Sequence, residues 1–148
     1  MTPELAKQFG YPADAKGLVI SDVKDGSSAD ANGLEMILKG TKDPAVAAKL
    51  ECTTALCQLG LDILSWQKLK TRLPSLLPLG TKVAHKTGTG HRCYNDAGII
   101  FKGDRPHCIL TAYTVGVPDS IKDGTPGFAA AYRLIGRLAR MSYDGLGG

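Results

Sequence analysis

Residues 82–115 constrain the fold most strongly, because they predict three β-strands in close succession. Apolar and β-branched residues fill positions 97–101 and 108–115, a composition typical of half-buried strands. The first of the three strands ends in Lys86, Thr87 and Gly88. The Gly-Asp-Arg-Pro sequence at 103–106 is typical of a turn, so the second and third strands are expected to form an antiparallel hairpin.

The amino-acid sequence of residues 82–115 resembles that of a known enzyme family. VAHKTGTG, a short polar loop, YNDAGIIF, a turn and ILTAYT are similar to the late β-hairpin region of class A serine β-lactamases and related penicillin-recognising enzymes. The resemblance continues upstream through DILSWQKLKTRLPSLLPLGTKVAHKTG and downstream into FAAAYRLIGRLARM, so it covers about residues 34–146. The family's K-T-G motif binds the β-lactam carboxylate through its lysine and threonine, and the next backbone N–H helps to form the oxyanion hole. The resemblance therefore implies four substrate-binding residues, Lys86, Thr87, Gly88 and Thr89.

The other catalytic elements of that family have no clear match. A serine β-lactamase uses a serine one helical turn before a lysine, a second S-D-N element and a glutamate. The sequence contains no S-D-N, and its three glutamates lie in no matching context. Ser21 and Lys24 have the S-x-x-K spacing but fall on a predicted strand, where their side chains point to opposite faces. Ser65 and Lys68 fall on a predicted helix and are the catalytic candidates; without further machinery, weak or no β-lactam hydrolysis is expected.

A metal site is the alternative chemistry. Histidine and cysteine are good zinc ligands, and a hairpin can bring separated residues together. The candidates are His85, His91, Cys93 and His107. Their spacing matches no standard zinc motif, and adjacent His107 and Cys108 point to opposite faces of a strand. The sequence therefore predicts no cofactor, and a zinc-dependent β-lactam hydrolase remains an alternative.

The N-terminal segment differs from the rest of the chain. TPELAKQFGYPADAKGLVISDVKDGSSADANGL, at residues 2–34, resembles the first half of a PDZ domain from the HtrA-type periplasmic proteases. Its pattern predicts a helix over 3–9 and a strand over 17–23. This helix and strand are hypothesised to take the first positions of an α/β domain. A non-enzymatic chimera or structural module, built from the two fragments with a join near Gly33, is therefore a further alternative.

The expected fold is a single α/β domain of the α+β type spanning residues 1–148, similar to a β-lactamase α/β domain without its all-helical domain. A mostly antiparallel sheet, with strands near 17–23, 82–88, 96–102 and 107–115, is covered by N-terminal, central and C-terminal helices. Asp43 is predicted to cap a helical region at 43–70 that Gly60 divides in two, and the last helix is expected over 126–141. The four cysteines permit three pairings and are expected to be free thiols.

Charge and composition limit the partners. The net charge of +4 is modest, its lysines and arginines are spread along the chain, and no apolar run is long enough for a membrane span. A nucleic-acid or membrane partner is therefore not expected, and the implied ligand is a small anion such as a β-lactam. A homo-oligomer formed by domain swapping stays open. The resembling family is exported, but the N-terminus lacks a signal-peptide pattern, so the compartment is not predicted.

Overall fold

The computed structural model describes residues 31–146, which form four α-helices, one short 3₁₀-helix and three strands. In chain order the elements are α1 (Ala31–Gly40), α2 (Pro44–Lys49), α3 (Thr54–Ser65), the 3₁₀-helix (Leu73–Leu76), β1 (Val83–Gly90), β2 (Cys93–Lys102), β3 (Arg105–Ala112) and α4 (Gly127–Gly145).

The three strands form an antiparallel sheet in the order β1-β2-β3. Lys86 pairs with Ala97, and Ile99 pairs with Ile109, so β2 is the central strand among the described residues. Two-residue turns join the strands, and each contains a residue with positive φ, Arg92 at 53° and Gly103 at 59°. The predicted hairpin at 103–106 is confirmed, with strands that start and end within a few residues of the expected positions.

Helices cover both faces of this sheet. On one face α4 and the 3₁₀-helix enclose a buried cluster of Leu73, Val83, Ile100, Ala112, Ile135 and Ala139. On the other face α1 and α3 pack over a second cluster of Leu61, Ala84, Ile99 and Phe101. Neighbouring residues of one strand contribute to opposite clusters because side chains alternate across a sheet. The predicted α+β class is confirmed.

The central helical region differs from the prediction in where it breaks. Asp43 caps α2 as expected, since its carboxylate accepts hydrogen bonds from the N–H groups of Ala45 and Val46. The helix then ends before Leu50, and Thr53 caps α3 by accepting the N–H of Leu56. Gly60 lies inside α3, so the predicted break at this residue is wrong. The true break falls at 50–53, where Glu51 has a positive φ of 54°.

Several predictions fall on other parts of the chain. The helix at 3–9, the strand at 17–23 and the Ser21–Lys24 spacing lie outside the described residues, as does nearly all of the PDZ-like segment. Within residues 31–146 no helix is long and apolar enough to cross a membrane.

Candidate functional site

β1, which carries the K-T-G sequence, is an edge strand of the described sheet. Val83 belongs to the cluster under α4 and Ala84 to the cluster under α3. By alternation, Thr87 shares the α4 side of the strand, where it is buried, while Lys86 lies on the α3 side and is exposed. The side chains of Lys86 and Thr87 thus point to opposite faces of the sheet, although the two residues are neighbours on the edge strand.

The direction of the backbone N–H and C=O groups at this edge follows from hydrogen bonds on the other side of β2. The N–H of Tyr94 donates to the Thr114 hydroxyl at 2.9 Å, and that hydroxyl donates back to the Tyr94 carbonyl at 2.7 Å. Tyr94 therefore directs its polar backbone groups away from β1. Its partner across the ladder is Thr89, which consequently directs its own N–H and C=O outward from the sheet.

The same alternation directs the Thr87 carbonyl outward, two residues before Thr89. The Lys86 ammonium donates a hydrogen bond to this carbonyl. One open edge thus holds an ammonium group, a backbone carbonyl and a backbone N–H within four residues. Such an edge can bind an anion through the cation and the N–H together.

Arg72 secures the end of β1 from the α4 side. The residue is 2% exposed, and one amino group of its guanidinium donates to the carbonyls of Gly88 and Asn95 at 2.7 and 2.5 Å. The other donates to the Thr89 hydroxyl at 2.5 Å and to the Tyr132 hydroxyl at 3.1 Å. The guanidinium also lies 4.6 Å from the centre of the Tyr132 ring, a cation–π distance. Arg72 was not predicted as a site residue from the sequence. The only local signal is that it directly precedes the LPSLLP segment at 73–78.

A second buried contact holds the middle of β1. His85 Nδ1 lies 2.9 Å from a carboxylate oxygen of Asp96, and the other carboxylate oxygen accepts the Leu73 N–H at 3.0 Å. Both side chains are fully buried. Asp96 thereby joins β1, β2 and the start of the 3₁₀-helix. His85 thus uses Nδ1 to join β1 to Asp96, and its buried Nε2 has no hydrogen-bond partner among the described residues.

The other metal candidates do not assemble into a site. His91 lies in the turn between β1 and β2, and Cys93 begins β2. His107 donates from Nε2 to the Tyr143 carbonyl at 3.0 Å. Burial raises the pKa of Cys108, although Lys102 acts against this, and the neutral thiol is not the form that binds zinc. Over residues 31–146 no three His, Cys, Asp or Glu side chains come together, so the zinc arrangement is not formed.

The serine candidate also lacks the expected geometry. Ser65 is the last residue of α3, and its hydroxyl donates to the Leu61 carbonyl at 2.9 Å. Lys68 follows in a segment without helical structure. The prediction of a helix continuing to about residue 70 is wrong, and Ser65 and Lys68 are not one helical turn apart on a common helix face.

The model of the family described as "Beta-lactamase enzyme family" matches residues 44–146 of this chain. That range begins at α2 and contains the whole described sheet and α4. No curated protein sequence matches the chain.

Solved structures are similar over most of the described fold. A β-lactamase from Chitinophaga pinensis matches 98% of this chain at 18% identity, with a TM-score of 0.60. A variant of the last common ancestor of Gram-negative bacteria class A β-lactamases matches 68% at 26% identity, with a TM-score of 0.53. A PBP-A mutant, solved as an acyl-enzyme complex with penicillin G, matches 77% at 21% identity, with a TM-score of 0.54. The aligned region spans 54%, 39% and 37% of those three chains, respectively.

Proposed function

Because this chain belongs to the β-lactamase enzyme family, whose model matches residues 44–146, we propose that the open edge of β1 binds the carboxylate of a β-lactam or a similar small anion. Lys86 supplies the positive charge and the Thr89 N–H supplies a hydrogen bond, whereas the Thr87 hydroxyl, which the resemblance also assigned to the ligand, lies on the opposite, buried side of β1. Gly88 lets the ligand approach the backbone, because it has no side chain. We propose further that the 148-residue chain hydrolyses such ligands weakly or not at all.

One observation carries the binding proposal: the Lys86 ammonium and the outward N–H of Thr89 occupy the same strand edge. A charge-assisted hydrogen bond to a carboxylate is stronger than one between neutral groups, and a donor fixed in a strand needs little reorganisation. Arg72 and Asp96 hold this strand from its buried side, so the donors keep their spacing when a ligand binds.

The weak-hydrolysis proposal depends on the nucleophile. Acyl transfer needs a serine whose proton is taken by a base within hydrogen-bond reach. In residues 31–146 the Ser65 hydroxyl donates to its own helix, and Lys68 lies beyond the end of that helix. The solved relatives are about twice as long as their aligned regions or longer, so their activities do not transfer to this chain directly.

The PDZ-like segment at 2–34 lies before the region that the family model matches, which begins at residue 44. We propose that this segment is an attached part of one domain and is not needed for anion binding at β1. A non-enzymatic module joining two fragments is the alternative if no ligand binds.

Binding can be tested by titrating the chain with benzylpenicillin and following backbone amide shifts by NMR. The shifts of Thr87 and Thr89 are expected to move with saturable dependence on ligand. In Lys86→Ala the Kd should weaken by about tenfold or more, because a charge-assisted contact is lost. Lys82→Ala is the matched control, since Lys82 is an exposed lysine just before the same strand. Equal effects of the two substitutions, or no saturable shift, would contradict the proposal.

Hydrolysis is tested separately by nitrocefin turnover and by intact mass after incubation with penicillin. The expected result is slow or absent turnover and no covalent adduct. An adduct located on Ser65, together with loss of turnover in Ser65→Ala, would overturn the weak-hydrolysis proposal without affecting the binding proposal.

A further inference from the structure

The break between α2 and α3 brings two cysteines together. The chain reverses over residues 50–53, and the Cys52 N–H bonds back to the Ala47 carbonyl at 3.2 Å. Cys57 lies in the first turns of α3. As a result the two sulfur atoms are 3.3 Å apart. This distance is within contact range of two thiols, and both cysteines are unbonded in this structure.

The surroundings make the two thiols unequal. Cys57 is 3% exposed, and its sulfur packs so closely against Gly40 that a Cβ on that glycine would lie 2.6 Å from it. Burial and the hydrogen bond with Cys52 raise the pKa of Cys57. Cys52 is half-buried and reaches solvent at the surface of the turn. Cys52 is therefore the thiol that an incoming reagent meets first.

The other two cysteines make a useful contrast. Cys93 begins β2 and Cys108 lies in β3, and within residues 31–146 neither has a sulfur partner within hydrogen-bond distance. Only one of the three pairings that four cysteines permit joins Cys52 to Cys57, and of its two bonds the structure places only this one within sulfur contact.

We propose that Cys52 and Cys57 form an intramolecular disulfide on exposure to a low-molecular-weight disulfide such as oxidised glutathione. The Cys52 thiolate attacks one sulfur of the reagent, a mixed disulfide forms, and one reagent thiol leaves. The Cys57 thiol then loses its proton and attacks the Cys52 sulfur, and the second reagent thiol leaves. Two protein thiols are oxidised, and one small disulfide is reduced to two thiols.

Little movement is needed for the second step. A disulfide bond is about 2.05 Å long, so the sulfur atoms must approach by roughly 1.2 Å. Because Cys57 is packed against Gly40 and Cys52 is half-buried, the Cys52 side chain is the one expected to move. The product ties the turn that follows α2 to the first turn of α3 and closes a short loop over residues 52–57.

Peptide mapping tests the pairing on the full chain. The folded protein is equilibrated with reduced and oxidised glutathione, quenched with acid, alkylated and cut with trypsin. Cys52 and Cys57 lie together on the tryptic peptide 50–68, whereas Cys93 and Cys108 lie on peptides 93–102 and 103–122. The expected product is peptide 50–68 lighter by two hydrogen atoms, with peptides 93–102 and 103–122 alkylated.

Matched variants separate pairing from general reactivity. Cys52→Ser should abolish the linked form and Cys93→Ser should leave it unchanged. Cys52 is the better choice for substitution because Cys57 is packed against Gly40. The oxidised chain should also melt about 5 °C or more above the reduced chain, and Cys52→Ser should lose this difference. Alkylation of both cysteines of peptide 50–68 while Cys93 or Cys108 is oxidised, or linkage only between chains, would overturn the proposal.

Discussion

At the scale of single residues, the site depends on two buried ionisable side chains, Asp96 and Arg72, that have different kinds of partner. Asp96 accepts hydrogen bonds from the Leu73 N–H and lies against His85 Nδ1. The charge of Arg72 is met by backbone carbonyls, two hydroxyls and an aromatic ring. A buried charge is costly unless such partners surround it, so both residues stabilise the strand only as parts of their networks.

Asp96→Asn is expected to destabilise the fold by about 2–3 kcal/mol, because the amide cannot replace both carboxylate contacts and brings unpaired donors into the core. Urea unfolding followed by far-UV circular dichroism measures this. Asp104→Asn is the control, since Asp104 is exposed in the turn between β2 and β3 and its substitution should change stability by less than about 0.5 kcal/mol. Similar midpoints for the two variants would contradict the structural role of Asp96.

At the scale of secondary-structure elements, the sequence predicted the sheet better than the helices. The hairpin strands follow from β-branched residues and from a turn of Gly, Asp and Pro, which are local features. Gly60 was predicted to end a helix because glycine weakens helices, yet packing on the sheet holds α3 together across it. The observed break between α2 and α3 at 50–53 depends on the caps and on the positive φ of Glu51. The hydrogen bonds of Arg72 and Asp96 join residues far apart in sequence, so local sequence patterns do not predict them.

Two glycines within helices, Gly60 and Gly136, allow the effect of helix propensity to be compared with the effect of packing. Gly60 has only one atom, on Ile37, at 4.0 Å from the position of an added Cβ. Gly136 in α4 is buried, and an added Cβ would lie 2.1 Å from the Ser75 hydroxyl and 3.3 Å from the Arg72 carbonyl. Gly60→Ala should therefore stabilise the chain by about 0.5–1 kcal/mol, and Gly136→Ala should destabilise it by about 1–3 kcal/mol.

Thermal unfolding of the two alanine variants beside the parent chain measures both effects. Each substitution adds the same methyl group to the interior of a helix. Opposite changes in stability would therefore be attributable to the close contact between α4 and the 3₁₀-helix at Gly136. Stabilisation by Gly136→Ala would show that this contact is looser than described.

At the scale of the whole molecule, the outward face of α4 is unusually apolar. Leu134, Leu138 and Met141 are exposed beside Arg137, while Ala131, Ile135 and Ala139 of the same helix are buried. A contiguous exposed apolar surface with a charged rim is typical of an interaction surface. Association through such a surface would need no exchange of elements, and the domain-swapped homo-oligomer stays a prediction.

We expect the chain to associate at high concentration through this face of α4. Light scattering coupled to size-exclusion chromatography should show a mass that rises with concentration, and Leu138→Glu should keep the chain monomeric. Leu79→Glu is the control, because Leu79 is fully exposed in the loop between the 3₁₀-helix and β1. A constant monomer mass, or equal effects of the two substitutions, would contradict the expectation.

The turn between β1 and β2 is fastened to the segment that leads into α4. The Val117 N–H donates to the Arg92 carbonyl at 3.0 Å, and Arg92 Nε donates to the Val117 carbonyl at 2.7 Å. Two residues later, the Asp119 carbonyl accepts the first N–H of α4, from Gly127. Hydrogen bonds therefore connect the β1–β2 turn, through residues 117–119, to the first residue of the longest described helix, so a displacement of this turn would be felt at the start of α4.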